Sequence, residues 1–264
     1  MDFLIQENVL RPYVSLSSFS RPTCGLLFCF SVPSAITLEI SVETPQAAVA
    51  AERGGAHRIE LCAELGVGGL TPSEDLMRMA RAKVKLPIFA MIRPRAGDFV
   101  YSPHELAQMH SDIATARRMG MDGIVLGLLT GNRRVDIART RELLKAAEAL
   151  PVTFHRAFDE AADLDIALQD VIETGAARIL TSGGAAAAPA GIARLAHLVA
   201  AASDSILVLP GGGINASNAL EVARQTGARE VHSGLGSVLA YGRQDYELFE
   251  SEVRKLSTQL ALAI

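Results

Sequence analysis

Eight short, apolar, strand-like runs recur along this chain, and each is followed by a polar or glycine-rich turn and then by a helical pattern. The units repeat at intervals of roughly 20 to 35 residues, a spacing typical of strand–helix units in a parallel sheet. An open doubly wound sheet usually has fewer strands, and no GxGxxG motif follows the first one. The repeat therefore predicts an α/β fold, a TIM (β/α)8 barrel with parallel strands. The predicted strands begin at Ile36, His57, Leu86, Gly123, Val152, Arg178, Ile206 and Glu230.

The composition agrees with a buried parallel sheet and argues against several classes of partner. Hydrophobic residues make up 49% of the chain and the mean hydropathy is +0.25, values that suit strands covered on both faces. The net charge is −4 with no basic cluster, so we expect no nucleic-acid partner. The apolar run near the N-terminus is too short to span a bilayer, and we expect no membrane partner. Three cysteines without a CxxC motif disfavour a disulfide framework and suit a reducing cytoplasm.

The first 35 residues do not share the strand–helix rhythm. They place Arg11 and Arg21 before a short apolar run that ends in small residues, an order that loosely resembles a secretory signal. We expect residues 1–35 to be a disordered or non-native N-terminal extension, with an export signal as the alternative. Residues 36–264 are expected to form one barrel domain without an internal boundary.

Charged and imidazole side chains occur where the predicted strands end. The stretch 152–159 begins as an apolar strand and ends in His155, Arg156 and Asp159. In barrels the carboxyl ends of the strands form the rim that carries ligands and catalysis. Side chains two apart share one face of a strand, so several charges are expected to meet at one mouth and to neutralise each other. They are Glu39, Glu60, Arg93, His155 and His232.

His155 is the first candidate for a general acid or base, because histidine titrates near neutral pH. The predicted catalytic set is His155, Glu60, Glu39, Arg93 and Asp159. For Asp159 and Arg156 an equally good interpretation is a salt bridge that closes the strand end. The whole group could also be a set of structural ion pairs without a substrate, since such networks occur inside barrels as well.

Arginine and glycine residues in the loops predict an anion-binding site. Arg93, Arg95 and Asp98 follow the third strand, where arginine suits bidentate binding of a carboxylate or phosphate. Glycine-rich turns follow strands six to eight, and backbone amides in the last two such loops often hold a phosphate, although glycine also simply permits tight turns. The predicted ligand-binding residues are Arg95, Asp98, Arg156, Thr181, Ser182, Gly183, Gly211, Gly212, Gly213 and His232.

A soft metal ion is the other ligand that the residue types allow. Cys62 with His155 and His232 would offer a thiolate and two imidazoles, which are donors that suit Cu(I). The alternative is that Cys62 is an inert buried thiol, because it is the only cysteine in the predicted barrel. The seven methionines show no MxxM clustering that would add to a copper site.

Five separated motifs of the chain closely resemble those of the CutC copper-homeostasis family, and they occur in the family's order. They are RIELC at 58–62, MIRPR at 91–95 with GDF at 97–99, VTFHRAFD at 152–159, LTSG at 180–183 and LPGGG at 209–213. The resemblance covers about residues 36 to 240 and implies a TIM barrel, a cytoplasmic location and a homo-oligomer such as a dimer. It also implies a role in copper homeostasis, with copper binding. The family's arginine soon after the histidine of strand eight has no counterpart in residues 233–237.

Two hypotheses of function follow from these features. The first is a CutC-like protein that binds or handles copper, with Cu(I) held by Cys62 and the histidines. The second is a barrel enzyme that acts on a small anionic or phosphorylated metabolite, with His155 as acid or base and Arg93 as the anion anchor. The expected partner is accordingly either a copper ion or a small-molecule anion.

Overall fold

The computed structural model describes residues 36–236, 238 and 245–262. The predicted N-terminal extension, residues 1–35, lies outside this part of the chain. The strands are β1 (Thr37–Val42), β2 (Arg58–Leu61), β3 (Ile88–Met91), β4 (Gly123–Leu126), β5 (Val152–Phe154), β6 (Arg178–Thr181), β7 (Leu207–Pro210) and β8 (Glu230–Ser233). The helices are α1 (Pro45–Gly54), α2 (Glu74–Arg81), α3 (Pro103–Arg118), α4 (Ile137–Ala147), α5 (Leu164–Thr174), α6 (Ile192–Ala202), α7 (Ala219–Thr226) and α8 (Tyr246–Ala261).

The eight strands form one parallel sheet in the order β7-β6-β5-β4-β3-β2-β1-β8. The end strands β7 and β8 contact each other, so the sheet is a nearly closed barrel with the helices outside. This confirms the predicted TIM-barrel fold. The register aligns Glu39 of β1 with Arg58 of β2 on one side and with His232 of β8 on the other. Ser41 lies one inward position higher and faces Glu60.

Side-chain caps set the first residues of several helices. The Thr44 and Ser73 side chains accept hydrogen bonds from the backbone amides of Ala47 and Leu76 at the starts of α1 and α2. Ser102 forms a reciprocal capping box with Glu105 at the start of α3. Asn215 and Ser217 are residue types that often cap helices, but neither caps α7. The two side chains bond to each other in a turn instead, and the helix begins only at Ala219.

Side chains alternate along each strand between the core beneath the helices and the inside of the barrel. Outward-facing apolar residues such as Leu38, Ile40 and Ile59 are fully buried and form one cluster beneath the helices. The inward-facing side includes a small apolar cluster of Cys62, Phe89, Met91 and Val125. Most of the remaining inward positions carry polar or charged side chains, which is the arrangement that the predicted mouth requires.

Three 3₁₀ turns, which the sequence patterns do not predict, follow strands at the rim of the barrel. They span Leu65–Val67, Arg156–Glu160 and Ala188–Gly191. The second of them begins directly after His155 and returns the chain toward β6. None of the helices in the described part of the chain has the length and apolar character that a bilayer crossing requires.

Candidate functional site

A network of ion pairs fills the barrel interior below the rim. The Arg58 guanidinium donates from Nε to Glu39 Oε2 at 2.5 Å and from its second terminal nitrogen to Glu230 Oε2 at 2.6 Å. Arg178 donates to the same Glu230 oxygen at 3.0 Å. The Arg58 and Glu39 side chains are 6% and 0% exposed. Because these charges are out of water, each depends on its partner for compensation.

His232 links this network to the mouth of the barrel. Its Nδ1 lies 2.8 Å from Glu39 Oε1, and its Nε2 lies 3.8 Å from Glu60 Oε2. Burial alone would lower the pKa of His232, but the carboxylates of Glu60 and Glu39 outweigh burial and raise it. The contacts of Nδ1 with Glu39 and of Nε2 with Glu60 therefore favour the imidazolium form.

Glu60 is the acidic group that faces the mouth. Burial raises the pKa of Glu60, although the neighbouring His232 opposes the shift. Its Oε2 accepts from the Cys62 thiol at 3.6 Å. Within the described residues, its second oxygen, Oε1, is buried and has no hydrogen-bond partner. A buried carboxyl with a raised pKa and one free oxygen is suited to exchange a proton with a ligand.

The stability of the barrel is expected to depend on the ionisation of Glu39. Burial alone would raise the pKa of Glu39, but Arg58 and His232 outweigh burial and lower it from 4.5 to about 2. A carboxyl with a lowered folded-state pKa favours folding above its unfolded pKa, and this contribution is lost as the pH falls. We therefore expect the free energy of unfolding to decrease between pH 4.5 and about 2. Urea denaturation across a pH series measures this decrease, and an equal decrease in Glu39→Gln would contradict the assignment.

A cavity of about 610 Å³ opens at the carboxyl ends of the strands. Glu60, Arg93 and His155, which lie near or just beyond the ends of β2, β3 and β5, all contribute to its wall, as predicted for a single mouth. The other predicted site residues in the wall are Arg156, Asp159, Gly212, Gly213 and His232. Glu39 lies beneath the cavity, where it holds His232.

The pKa of His155 differs from the expectation that its imidazole titrates near neutral pH. Burial, together with the positive charge of Arg93, lowers the pKa of His155 to about 3. Its Nδ1 accepts a hydrogen bond from the Ala157 amide at 3.1 Å. The neutral ring must then carry its proton on Nε2, and this buried atom has no partner among the residues described. A neutral His155 is thus suited to donate a hydrogen bond from Nε2, whereas the raised pKa of Glu60 is the one that suits proton exchange.

A glycine that directly follows the adjacent strand β4 leaves room for the His155 ring. A β-carbon at Gly127 would lie 2.4 Å from His155 Nδ1 and 3.0 Å from the β-carbon of Ala157. We expect Gly127→Ala to displace the ring and to destabilise the protein by about 1–3 kcal/mol, as over-packing of a core does. Gly131→Ala is the matched control, because a β-carbon there meets open space. Chemical denaturation measures both, and an equal effect of the two would contradict the packing argument.

Arg93 orders the loops around the cavity. Its first terminal nitrogen donates to the carbonyls of Val67 and Gly69 at 3.0 and 3.2 Å, and its second donates to the carbonyl of Gly97 at 3.0 Å. The guanidinium also lies over the Phe99 ring, 4.9 Å from the ring centroid. In the described chain, the buried Nε of Arg93 has no acceptor.

The Arg156–Asp159 salt bridge closes the end of β5. Asp159 Oδ2 accepts from Arg156 Nε at 2.8 Å, while Oδ1 accepts from the Thr181 hydroxyl at 2.5 Å and from the Gly184 amide at 2.9 Å. The Ser182 amide lies 3.1 Å from both carboxylate oxygens. Asp159 is therefore a fully engaged loop anchor, which matches the structural interpretation of this pair.

Several predicted ligand-binding residues are not in the cavity wall. Arg95 turns away to pair with Glu105 and Asp98 on the outer side of the loop. Thr181 and Ser182 are buried around Asp159. The residues outside the wall are Arg95, Asp98, Thr181, Ser182, Gly183 and Gly211.

Other residues of the site and its support do not appear in the sequence-based set. Phe99 lines the cavity and contacts the His155 ring, with 5.0 Å between ring centroids. Arg58 and Glu230 precede Glu60 and His232 by two positions, so strand alternation already places them on the same inward face. The alternation of side chains along the strands could therefore have predicted the ion pairs. No such pattern in the sequence predicts that the Phe99 loop turns inward.

The donor atoms that converge share only His232 with the predicted copper set. In the described part of the chain, the group of His, Cys, Asp or Glu side chains whose ligand atoms all lie within 4.8 Å of one another is Glu39, Glu60 and His232. Cys62 and His155 do not belong to it. Glu39 is already bound by Arg58 and His232, which leaves little donor capacity for a cation.

Comparison with known proteins assigns the family. The sequence profile of the CutC family matches residues 36–237. The chain belongs to the CutC family. A CutC family protein of Xylella fastidiosa is 45% identical over 206 residues, which cover 78% of this chain and 77% of that protein. Another, from Chromobacterium violaceum, is 43% identical over 226 residues and covers 84% and 92% of the two chains.

A solved structure of the same family has the same fold. The CutC protein of Streptococcus agalactiae, whose name refers to copper homeostasis, is 33% identical, with a TM-score of 0.71 over 75% of this chain and 98% of its own. Thiamine phosphate pyrophosphorylase of Pyrococcus furiosus is 18% identical with a TM-score of 0.56, over 85% and 96% of the two chains. The second likeness shows the barrel fold alone.

The copper ion that the family name suggests does not suit the donors of this CutC barrel. Burial raises the pKa of the Cys62 thiol well above its ordinary value, and the adjacent Glu60 carboxylate raises it further. A Cu(I) site requires soft donors such as thiolate, and Cys62 keeps its proton and donates it toward Glu60. The donors that do converge are two carboxylates and one imidazole, which favour harder ions.

Proposed function

We propose that this CutC family member is an enzyme of copper homeostasis that binds a small anionic metabolite at the barrel mouth and moves a proton through Glu60. The observation that carries the proposal is the buried Glu60 Oε1, which has no hydrogen-bond partner in the described residues and belongs to a cavity wall. Such an oxygen is costly to bury unless a ligand completes its interactions. The link with copper homeostasis rests on the name of the Streptococcus agalactiae relative.

Two guanidinium groups in the wall, which also holds the carboxylates of Glu60, Asp159 and Glu160, support an anionic ligand. Arg93 and Arg156 bring two guanidinium groups to the cavity, and Arg156 keeps 43% of its side chain exposed. The loop after β7 adds Gly212 and Gly213 beside Arg156, whose terminal nitrogen would lie 3.2 Å from a β-carbon at Gly212. Guanidinium groups and glycine amides are the usual partners of carboxylate and phosphate oxygens.

The proton-transfer step uses the pair of Glu60 and His232. The carboxylate of Glu60 accepts a proton from the ligand at Oε1, and the imidazolium of His232 faces the other oxygen. Glu39 keeps His232 oriented and charged from below. When the proton returns from Glu60 to the ligand, the carboxylate is ready for another cycle.

A metabolite screen tests the binding half of the proposal. We expect phosphorylated or carboxylated metabolites to raise the melting temperature of the protein, since a ligand that binds only the folded state stabilises it. Arg156→Met, which removes an exposed cavity cation, is expected to reduce the shift. Arg78→Met, on the surface of α2, is the matched control. If no anion shifts the melting temperature, or if both variants respond equally, the proposal fails.

A Cu(I) titration under anaerobic conditions tests the alternative of copper binding. Because the Cys62 thiol is buried and protonated, we expect Cys62→Ala to bind the same amount of Cu(I) as the wild type in competition with a chelator. Stoichiometric binding that disappears in Cys62→Ala would support copper handling at this thiol and contradict the donor analysis.

A cytoplasmic location and a homo-oligomeric state are further proposals that come from the family resemblance. The location is supported by the free thiol of Cys62, which suits a reducing compartment. Fractionation of cells that express the full chain measures the first, and light scattering of the purified protein measures the second. A monomer at micromolar concentration would contradict the oligomeric proposal.

A further inference from the structure

Two buried hydrogen-bond donors lie in the cavity wall without acceptors in the part of the chain that the structure describes. They are Nε2 of His155 and Nε of Arg93. Both side chains contact the Phe99 ring: the His155 ring centroid lies 5.0 Å from it, and the Arg93 guanidinium carbon lies 4.9 Å from it. Buried donors are rarely left unpaired, so this corner is suited to a ligand oxygen.

The orientation of each donor is fixed by other bonds. The Ala157 amide holds His155 Nδ1, and the absence of a side chain at Gly127 gives the ring its place. Arg93 uses three of its five N–H groups on the carbonyls of the surrounding loops, and Nε–H is one of the two that it has left to offer. The corner thus presents one positive and one neutral donor in a preorganised arrangement.

We propose that the substrate is a carbonyl compound with a hydrogen on the neighbouring carbon, and that His155 Nε2–H and Arg93 Nε–H hold its oxygen as it becomes an enolate. This inference rests on the proposed function, because it assigns Glu60 as the base. The C–H bond breaks, its proton passes to Glu60 Oε1, its electron pair forms the C=C bond, and the carbonyl π pair moves to oxygen. The return of the proton to carbon completes the exchange without an added reactant.

The neutral state of His155 is what suits it to this role. A neutral imidazole N–H stabilises an enolate oxygen without transferring a proton to it, whereas an imidazolium would tend to protonate the intermediate. The positive charge of Arg93 supplies the electrostatic part of the stabilisation, and burial together with this charge keeps His155 neutral. The substrate class is therefore a 2-oxo acid or a sugar derivative with an acidic α-hydrogen.

The test uses oxalate, whose planar oxygens mimic the enolate of a 2-oxo acid. In wild-type protein with ¹⁵N-labelled histidine, we expect the His155 resonances of a neutral Nε2–H tautomer at pH 7 and a shift of these resonances on addition of oxalate. We expect His155→Phe to weaken oxalate binding about ten-fold or more, as the loss of a hydrogen bond to a charged group does. His197→Phe, an exposed histidine on α6, is the control.

The outcomes separate this inference from the proposed function. Glu60→Gln is expected to keep oxalate binding, because the donors and not the base hold the oxygen. A charged or Nδ1-protonated His155, no oxalate binding to the wild type, or equal binding to His155→Phe would overturn the inference. A further outcome is that oxalate binds as expected while Glu60→Gln still exchanges the α-hydrogen of a bound 2-oxo acid as fast as the wild type. In that case only the role of Glu60 fails. The NMR measurement on the wild type remains decisive even if His155→Phe does not fold.

Discussion

Replacing Glu60 with glutamine is expected to slow hydrogen exchange between water and a cavity-bound metabolite by about 10² to 10⁴-fold, the usual contribution of a general acid or base. Glutamine keeps the shape of the side chain but cannot take up a proton. The effect should appear in kcat, since hydrogen bonds from Arg93 and His155 still bind the ligand. Deuterium uptake from D2O, followed by proton NMR, measures the rate.

Glu60→Gln removes both a base and a negative charge, so the experiment needs a control variant that removes a negative charge elsewhere. Glu64→Gln removes an exposed carboxylate on the loop that follows β2, outside the cavity wall. It is expected to exchange hydrogen at the wild-type rate. If Glu60→Gln and Glu64→Gln exchange equally fast, Glu60 is not the base.

Replacing Arg58 with methionine is expected to destabilise the protein by roughly 3–5 kcal/mol, the cost of breaking a buried ion pair by removing one partner. Arg58 bonds to both Glu39 and Glu230, so among the described residues its loss leaves Glu39 paired with His232 and Glu230 paired with Arg178. Both carboxylates would remain in the interior, with exposures of 0% and 8%. Urea denaturation gives the free energy of unfolding for comparison with the wild type.

A surface pair provides the matched control for this prediction. Arg78 bonds to Asp75 with side-chain exposures of 63% and 75%. Arg78→Met is therefore expected to change the free energy of unfolding by about 1 kcal/mol or less. A loss in Arg58→Met as small as that in Arg78→Met would mean that the interior network contributes little to stability.

The fold and the position of the mouth could be predicted from the alternation of residues along the strands and from the residue types in the loops. The apolar runs and caps such as Ser73 and Ser102 define the repeating units because they act locally. The meeting of Glu60, Arg93 and His155 follows from closing eight parallel strands, which brings all carboxyl ends to one rim. These features depend only on the spacing of the apolar runs and on the repeated order of strand and helix, and the sequence shows both.

Features that depend on neighbours distant in sequence were not predictable in the same way. The low pKa of His155 arises from burial at the mouth and from Arg93 in the loop after β3, so histidine identity alone suggests the wrong protonation state. Arg95 resembles an anion ligand in sequence, yet Glu105 from the start of α3 takes it out of the cavity. Tertiary packing decides whether Arg95 pairs with Glu105 or faces the cavity, and the short sequence motif around Arg95 carries no information about that packing.

The most direct test of the central claim is the titration of the Glu60 carboxyl carbon by ¹³C NMR, assigned by its disappearance in Glu60→Gln. If Glu60 is the proton carrier at the mouth of this CutC barrel, its resonance titrates above the ordinary range of glutamate and shifts again when an anionic ligand binds. A Glu60 carboxyl that titrates at or below the ordinary value and does not respond to any ligand would contradict the account.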